Sequence, residues 1–97
     1  MARIMGIFAD RSGADAVVEQ LQLNGITQVS VIGAEQAGQD AGQLLRGLGV
    51  PEDHLAEYER RLRERQWLLL VQAGALELPT VQRALRANQA LDIDLLQ

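Results

Sequence analysis

Two stretches of this chain, residues 4–8 and Trp67–Ala73, carry apolar side chains on both alternations. A strand of that kind has no face suited to water, so it must be covered on both sides and belongs inside a sheet rather than at its edge. One such strand lies near each end of the sequence. The fold must therefore bring two distant segments together as the centre of one sheet.

The segments around them read as helices and outer strands. Asp10-Arg11-Ser12-Gly13 supplies turn and cap chemistry after the first strand, with Asp10 or Ser12 placed to accept from the free N–H groups of a helix start. Ala14, Val17, Val18 and Leu21 then form one helical stripe, and Asn24-Gly25 ends it. Residues 26–32, with β-branched Val29, Val31 and Ile32, predict a second strand. Residues 34–43 are rich in alanine, glycine and glutamine. Gly38 and Gly42 have the spacing of a membrane helix contact, but their neighbours are too polar for lipid, so a loop passing into a short helix over 40–48 is expected.

Gly47 and Gly49 break that helix, and Pro51 suits the first turn of the next, where Glu52 and Asp53 complement the helix dipole. Residues 51–65 place Leu55, Tyr58 and Leu62 on a narrow buried edge, with Glu57/Arg61, Glu59/Arg63 and Arg60/Glu64 at i,i+4 spacing outside it. After the second central strand, residues 77–80 open a last helix with Val81, Ala84 and Leu85 inside and Asn88 as its cap. The tail alternates Leu91, Ile93 and Leu95 with Asp92 and Asp94, the period of a strand with one wet face.

The order is β-α-β, a helical insert over 34–65, then β-α-β, all within one domain, 1–97. Its simplest solution is an α+β, ferredoxin-like fold: a four-stranded antiparallel sheet with helices on one face. That arrangement leaves Met5, Ile7, Leu68 and Leu70 on the open face, a patch that a monomer should not leave in water. A homodimer through this face is therefore expected, with Trp67 at its rim.

Composition narrows the function. The 97 residues are 47% apolar, enough for one compact core. The absence of cysteine removes disulfides, thiolate metal sites and thiol nucleophiles. A net charge of −4 and three aromatic residues disfavour nucleic acid, although all nine basic residues are arginine and most lie over 60–65 and at Arg83 and Arg86. No apolar run approaches the ~20 residues of a membrane span, and the start of the chain does not read as a signal peptide, so a soluble, cytoplasmic protein is expected.

Catalytic constellations are sparse. The single histidine, His54, falls beside Asp53 and Glu57 on an exposed helix, and no zinc, EF-hand or serine-nucleophile spacing is present. Ser12 reads as a cap and Ser30 as a strand residue. Neither Gly33-Ala34-Glu35 nor residues 38–42 has the glycine spacing of a phosphate loop. The weak ligand candidates are Asp10 and Arg11, at the end of a central strand, and the Gly47 and Gly49 turn. A salt bridge and a cap explain Asp10 and Arg11 equally well. No cofactor, no metal and no catalytic residue is expected.

The run over residues 6–11, GIFADR, the helix with AVVEQL at 16–21, and Gly25-Ile26 before Val29-Ser30-Val31-Ile32 resemble the opening of the bacterial general stress proteins with a heat-induced YflT-like domain. Leu48-Gly49-Val50-Pro51-Glu52, Tyr58-Glu59 and the strand from Leu68 are similar to that family's second half. The likeness covers most of residues 3–75. The family's long glycine-rich segment between the halves is reduced here to residues 37–47 and is polar. The resemblance implies a stress-associated bacterial protein without cofactor or active site. Three functions follow in order: a non-enzymatic, dimeric interaction module; a small-ligand sensor of ACT or PII-like type; and a small dimeric α/β-barrel enzyme using His54 and Tyr58.

Overall fold

The computed structural model describes residues 1–96. In chain order the elements are β1 (Ala2–Phe8), α1 (Arg11–Leu23), β2 (Val29–Ile32), α2 (Ala34–Ala37), α3 (Ala41–Gly47), α4 (Glu52–Arg63), β3 (Trp67–Ala73), a 3₁₀ turn (Ala75–Glu77), α5 (Leu78–Ala87) and β4 (Asp92–Leu95). The strands form one antiparallel sheet in the order β2-β3-β1-β4, the ferredoxin-like order expected from the sequence. The two strands apolar on both alternations are its centre, paired from Ala2 opposite Ala73 to Phe8 opposite Trp67.

The helices lie on both faces, which corrects the expected one-sided arrangement. On one face Ile4, Phe8, Leu69, Val71 and Ala73 pack against Ala14, Val17 and Leu21 of α1 and Val81, Ala84 and Leu85 of α5. On the other, Met5, Ile7, Leu68 and Leu70 pack against Leu45, Val50, Leu55, Tyr58 and Leu62. Of the five residues assigned to a dimer interface, Met5, Ile7, Leu68 and Leu70 are thus interior residues of a single chain, all at most 2% exposed, and Trp67 packs on the opposite face with the α1–α5 core. The insert carries its own apolar stripes, and intramolecular docking avoids the translational and rotational entropy that a second subunit would lose.

Four helices end in the same way. The residue after the C-cap is left-handed at Gly25 (φ +77°), Gly49 (φ +89°), Arg65 (φ +64°) and Gln89 (φ +63°). In each case the following N–H reaches back over the last turn: Ile26 to the Leu21 carbonyl, Val50 to Leu45, Gln66 to Arg61 and Ala90 to Leu85, at 2.9–3.1 Å. This closure explains two differences from the sequence reading. Ile26 completes a helix cap instead of starting a strand, so β2 begins only at Val29. Arg65 leaves the helix, so α4 stops at Arg63; Pro51 precedes α4 rather than occupying its first turn.

Each sheet edge is closed in part by a local bond. Gln72 N donates to Gln28 O and Leu96 N to Arg3 O, so by alternation Val29 and Ile93 direct their amides outward. Val29 N donates to Thr27 O at 3.0 Å, and Ile93 N donates to Asp92 Oδ1 at 3.0 Å. These bonds occupy one outward N–H on each edge strand, while by the same alternation Val31 and Leu95 direct theirs outward without a local partner among the described residues.

Candidate functional site

One end of the sheet gathers most of the polar chemistry the fold does not consume. β1 ends there at Phe8, followed by Asp10 and Arg11, while Trp67 opens β3 opposite Phe8. The C-termini of α4 and α5 arrive at the same end with Arg65 and Gln89.

Trp67 is held from two directions. The Arg11 guanidinium lies 5.4 Å from the indole centroid, a cation–π distance. Gly33 lies against the benzo ring so closely that a Cβ there would stand 2.5–2.8 Å from three of its carbons. Substituting Gly33→Ala is therefore expected to push the indole out of place and cost about 1–3 kcal/mol. A lower urea midpoint with altered emission of the single tryptophan is the expected reading; unchanged emission and midpoint would show that the indole is not anchored there.

Asp10 is the N-cap of α1 and accepts the Ser12 hydroxyl, which holds its carboxyl below the usual range. Arg11 also reaches Asp15 at 3.4 Å. Both lie on the exposed rim. The sequence pattern ends a helix at Arg65 and gives Gln89 no distinction. Both take up left-handed backbone, which costs an L residue roughly 1–2 kcal/mol relative to glycine's free access. The signal was present, since Asn24-Gly25 and Leu48-Gly49 show what this chain places at the same position elsewhere.

Gly47 and Gly49 are not brought to this rim. Gly49 sits at the other end of β1, where its added Cβ would stand 3.0–3.2 Å from the Arg3 guanidinium, whose Nε is buried without a hydrogen-bond partner. Gly49 thus lets the turn pass over Arg3. Gly47, the last residue of α3, faces open space. The four ligand candidates therefore form two separate places rather than one site.

The seam between α4 and β4 holds the pair assigned to the enzyme reading. Tyr58 is fully buried and its hydroxyl donates to Asp94 Oδ2 at 2.7 Å; burial first, then the acceptor carboxylate, raises its pKa well above the usual tyrosine value. His54 is half-buried and stacks on it, with ring centroids 5.6 Å apart. Arg61 joins Glu57 Oε2 (2.8 Å), Gln66 Oε1 (3.0 Å) and Asp92 Oδ2 (3.4 Å). Both sides of β4 are thus partly covered: Asp94 docks on α4 and Ile93 packs on the α1–α5 core, while Leu91, Asp92 and Leu95 stay exposed. Arg60 bonds Glu57 and Glu64, and the two arginines hold the Glu57 carboxyl below its usual range, Arg60 foremost. Among the described residues, Arg63 and Arg65 form no ion pair.

Among the described residues no group of three or more His, Asp or Glu side chains could hold a metal ion, and no helix is long and apolar enough to cross a membrane. A groove of about 330 Å³ runs between α1 and α5, and a smaller cavity of about 120 Å³ at the rim is lined by Ala34, Glu35, Arg65 and Trp67. No protein-family model matches the chain, and no curated protein matches it.

Proposed function

We propose that this chain is a non-enzymatic interaction module that engages its partner through the rim around Trp67, Arg11, Arg65 and Gln89. The observation that carries this reading is the division of left-handed helix ends. At the far end of the sheet they are Gly25 and Gly49; at the rim they are Arg65 and Gln89. Backbone strain kept where glycine would remove it is characteristic of positions selected for their side chains. Tryptophan and arginine are also the residues that most often dominate binding energy. The Tyr58 hydroxyl, by contrast, is already committed to Asp94, which disfavours the enzyme reading. Likeness to the general stress proteins over residues 3–75 supports a stress-related role. The proposal needs no dimer, because the chain's own helices fill the face once assigned to one.

Arg65→Gly separates strain from use. It is expected to raise the unfolding free energy by about 0.5–1 kcal/mol, the relief of a left-handed L residue less the added flexibility of glycine. The same variant should lose at least about tenfold in recovery of a partner that wild type captures, as one buried contact removed would give. Leu23→Asp, at the far end, should not. Pull-down with quantitative mass spectrometry beside urea denaturation reads both. A variant that is stabilised yet retains every interaction, or one that is destabilised, would count against the proposal.

A further inference from the structure

We propose that the rim cavity between Glu35 and Arg65 binds a small zwitterion of the free α-amino acid class, seated against Trp67. This deepens the reading of the rim as a binding surface. Glu35, Arg65, Trp67 and Ala34 line one cavity, yet no ion pair joins Glu35 to Arg65 among the described residues. Opposite charges that share a cavity without meeting are complementary to a ligand carrying both. The carboxylate would go to the guanidinium, whose paired N–H groups suit it, and the ammonium to Glu35. Ala34 and the indole offer the apolar surface for a short side chain.

The size agrees with this class. About 120 Å³ in a partly open depression is room enough for an ammonium–Cα–carboxylate unit. Two features fix the surface on which the ligand would rest. The indole is held by Gly33 and Arg11, and Arg65, left-handed just beyond α4, lines the cavity.

The test is a ¹H–¹⁵N titration of the full chain with L-alanine and L-leucine, following the indole N–H of Trp67 and the Nε–H of Arg65. Acetate and methylammonium serve as the two halves of the ligand. A saturable shift with an amino acid, at least about tenfold weaker with either half, is the expected result. Glu35→Gln and Arg65→Gln should each weaken it about tenfold or more while the spectrum stays dispersed. Absence of saturation with either amino acid, acetate binding as tightly as alanine, or unchanged affinity in Glu35→Gln would overturn the proposal. Glu35→Gln leaves Arg65 and Trp67 in place, so partner capture that survives it while amino acid binding is lost separates this site from the wider rim reading.

Discussion

Replacing Leu68 by alanine is expected to lower the unfolding free energy by about 2–5 kcal/mol, with no dependence on protein concentration. Leu68 is 0% exposed within one chain, between β3 and the α3–α4 layer. Truncation removes the transfer energy of the lost methyl groups and leaves a cavity that neighbours fill only in part. A domain of this length is stable by roughly 5–15 kcal/mol, so the variant should sit near its unfolding threshold. Urea denaturation at two protein concentrations tenfold apart is the measurement. Were Leu68 an interface residue, the wild-type midpoint would rise with concentration, and the alanine variant would be a smaller species whose midpoint does not. That outcome would overturn the placement of the insert on this face.

Above pH 10 the protein is expected to lose about 1.4 kcal/mol of stability per pH unit, and Tyr58→Phe to remove that slope. The sign follows from proton counts. The unfolded chain releases the tyrosine proton near its ordinary value of about 10. The folded chain keeps it, because ionisation would place a phenolate in a buried site against the Asp94 carboxylate. The unfolded state then binds fewer protons, and stability falls as pH rises; below that range both states are protonated and the contribution is complete. Composition makes the result clean. Tyr58 is the only tyrosine, there is no cysteine, and all nine basic residues are arginine, which does not deprotonate here.

Ultraviolet absorbance of the native protein should accordingly show no tyrosinate until the chain unfolds. At neutral pH the phenylalanine variant should be less stable by about 1.5–3 kcal/mol, the net worth of a hydrogen bond to a charged group. A native hydroxyl titrating near its ordinary value, with stability flat above it, would show that Tyr58 does not reach Asp94.

Much of the architecture was legible in the residues. The doubled alternation at Met5, Ile7, Leu68 and Leu70 announced that β1 and β3 need cover on both sides, and the stripe of Leu55, Tyr58 and Leu62 announced a helix with one buried edge. Each is a local periodic pattern that survives whatever packs against it. That the second layer meets the first was not legible, since two apolar surfaces state no partner and a second subunit satisfies them equally. The role of Asp92 and Asp94 was hidden for a related reason. Alternation separates the two sides of a strand without saying what covers each, and here Ile93 packs on one core while Asp94 is drawn to the other layer by the Tyr58 donor, with Arg61 reaching the exposed Asp92.

The candidate site was half visible. Trp67, expected at the rim of a dimer face, packs on the opposite face beside Arg11; Asp10 and Arg11 stand where the sequence reading put ligand candidates, at the end of a central strand. Arg65, Gln89 and Glu35 did not, because their significance lies in a backbone angle and in proximity across elements. Taken alone, the sequence determined the two central strands, the helices and most of their ends, because hydrophobic period and cap residues act within a few positions of themselves. Tertiary structure decided which surface each apolar stripe covers, that the insert rather than a second copy closes the sheet, and that two strained helix ends lie at the same end of the sheet. Those outcomes depend on contacts between residues far apart in the chain, whose geometry no local pattern encodes.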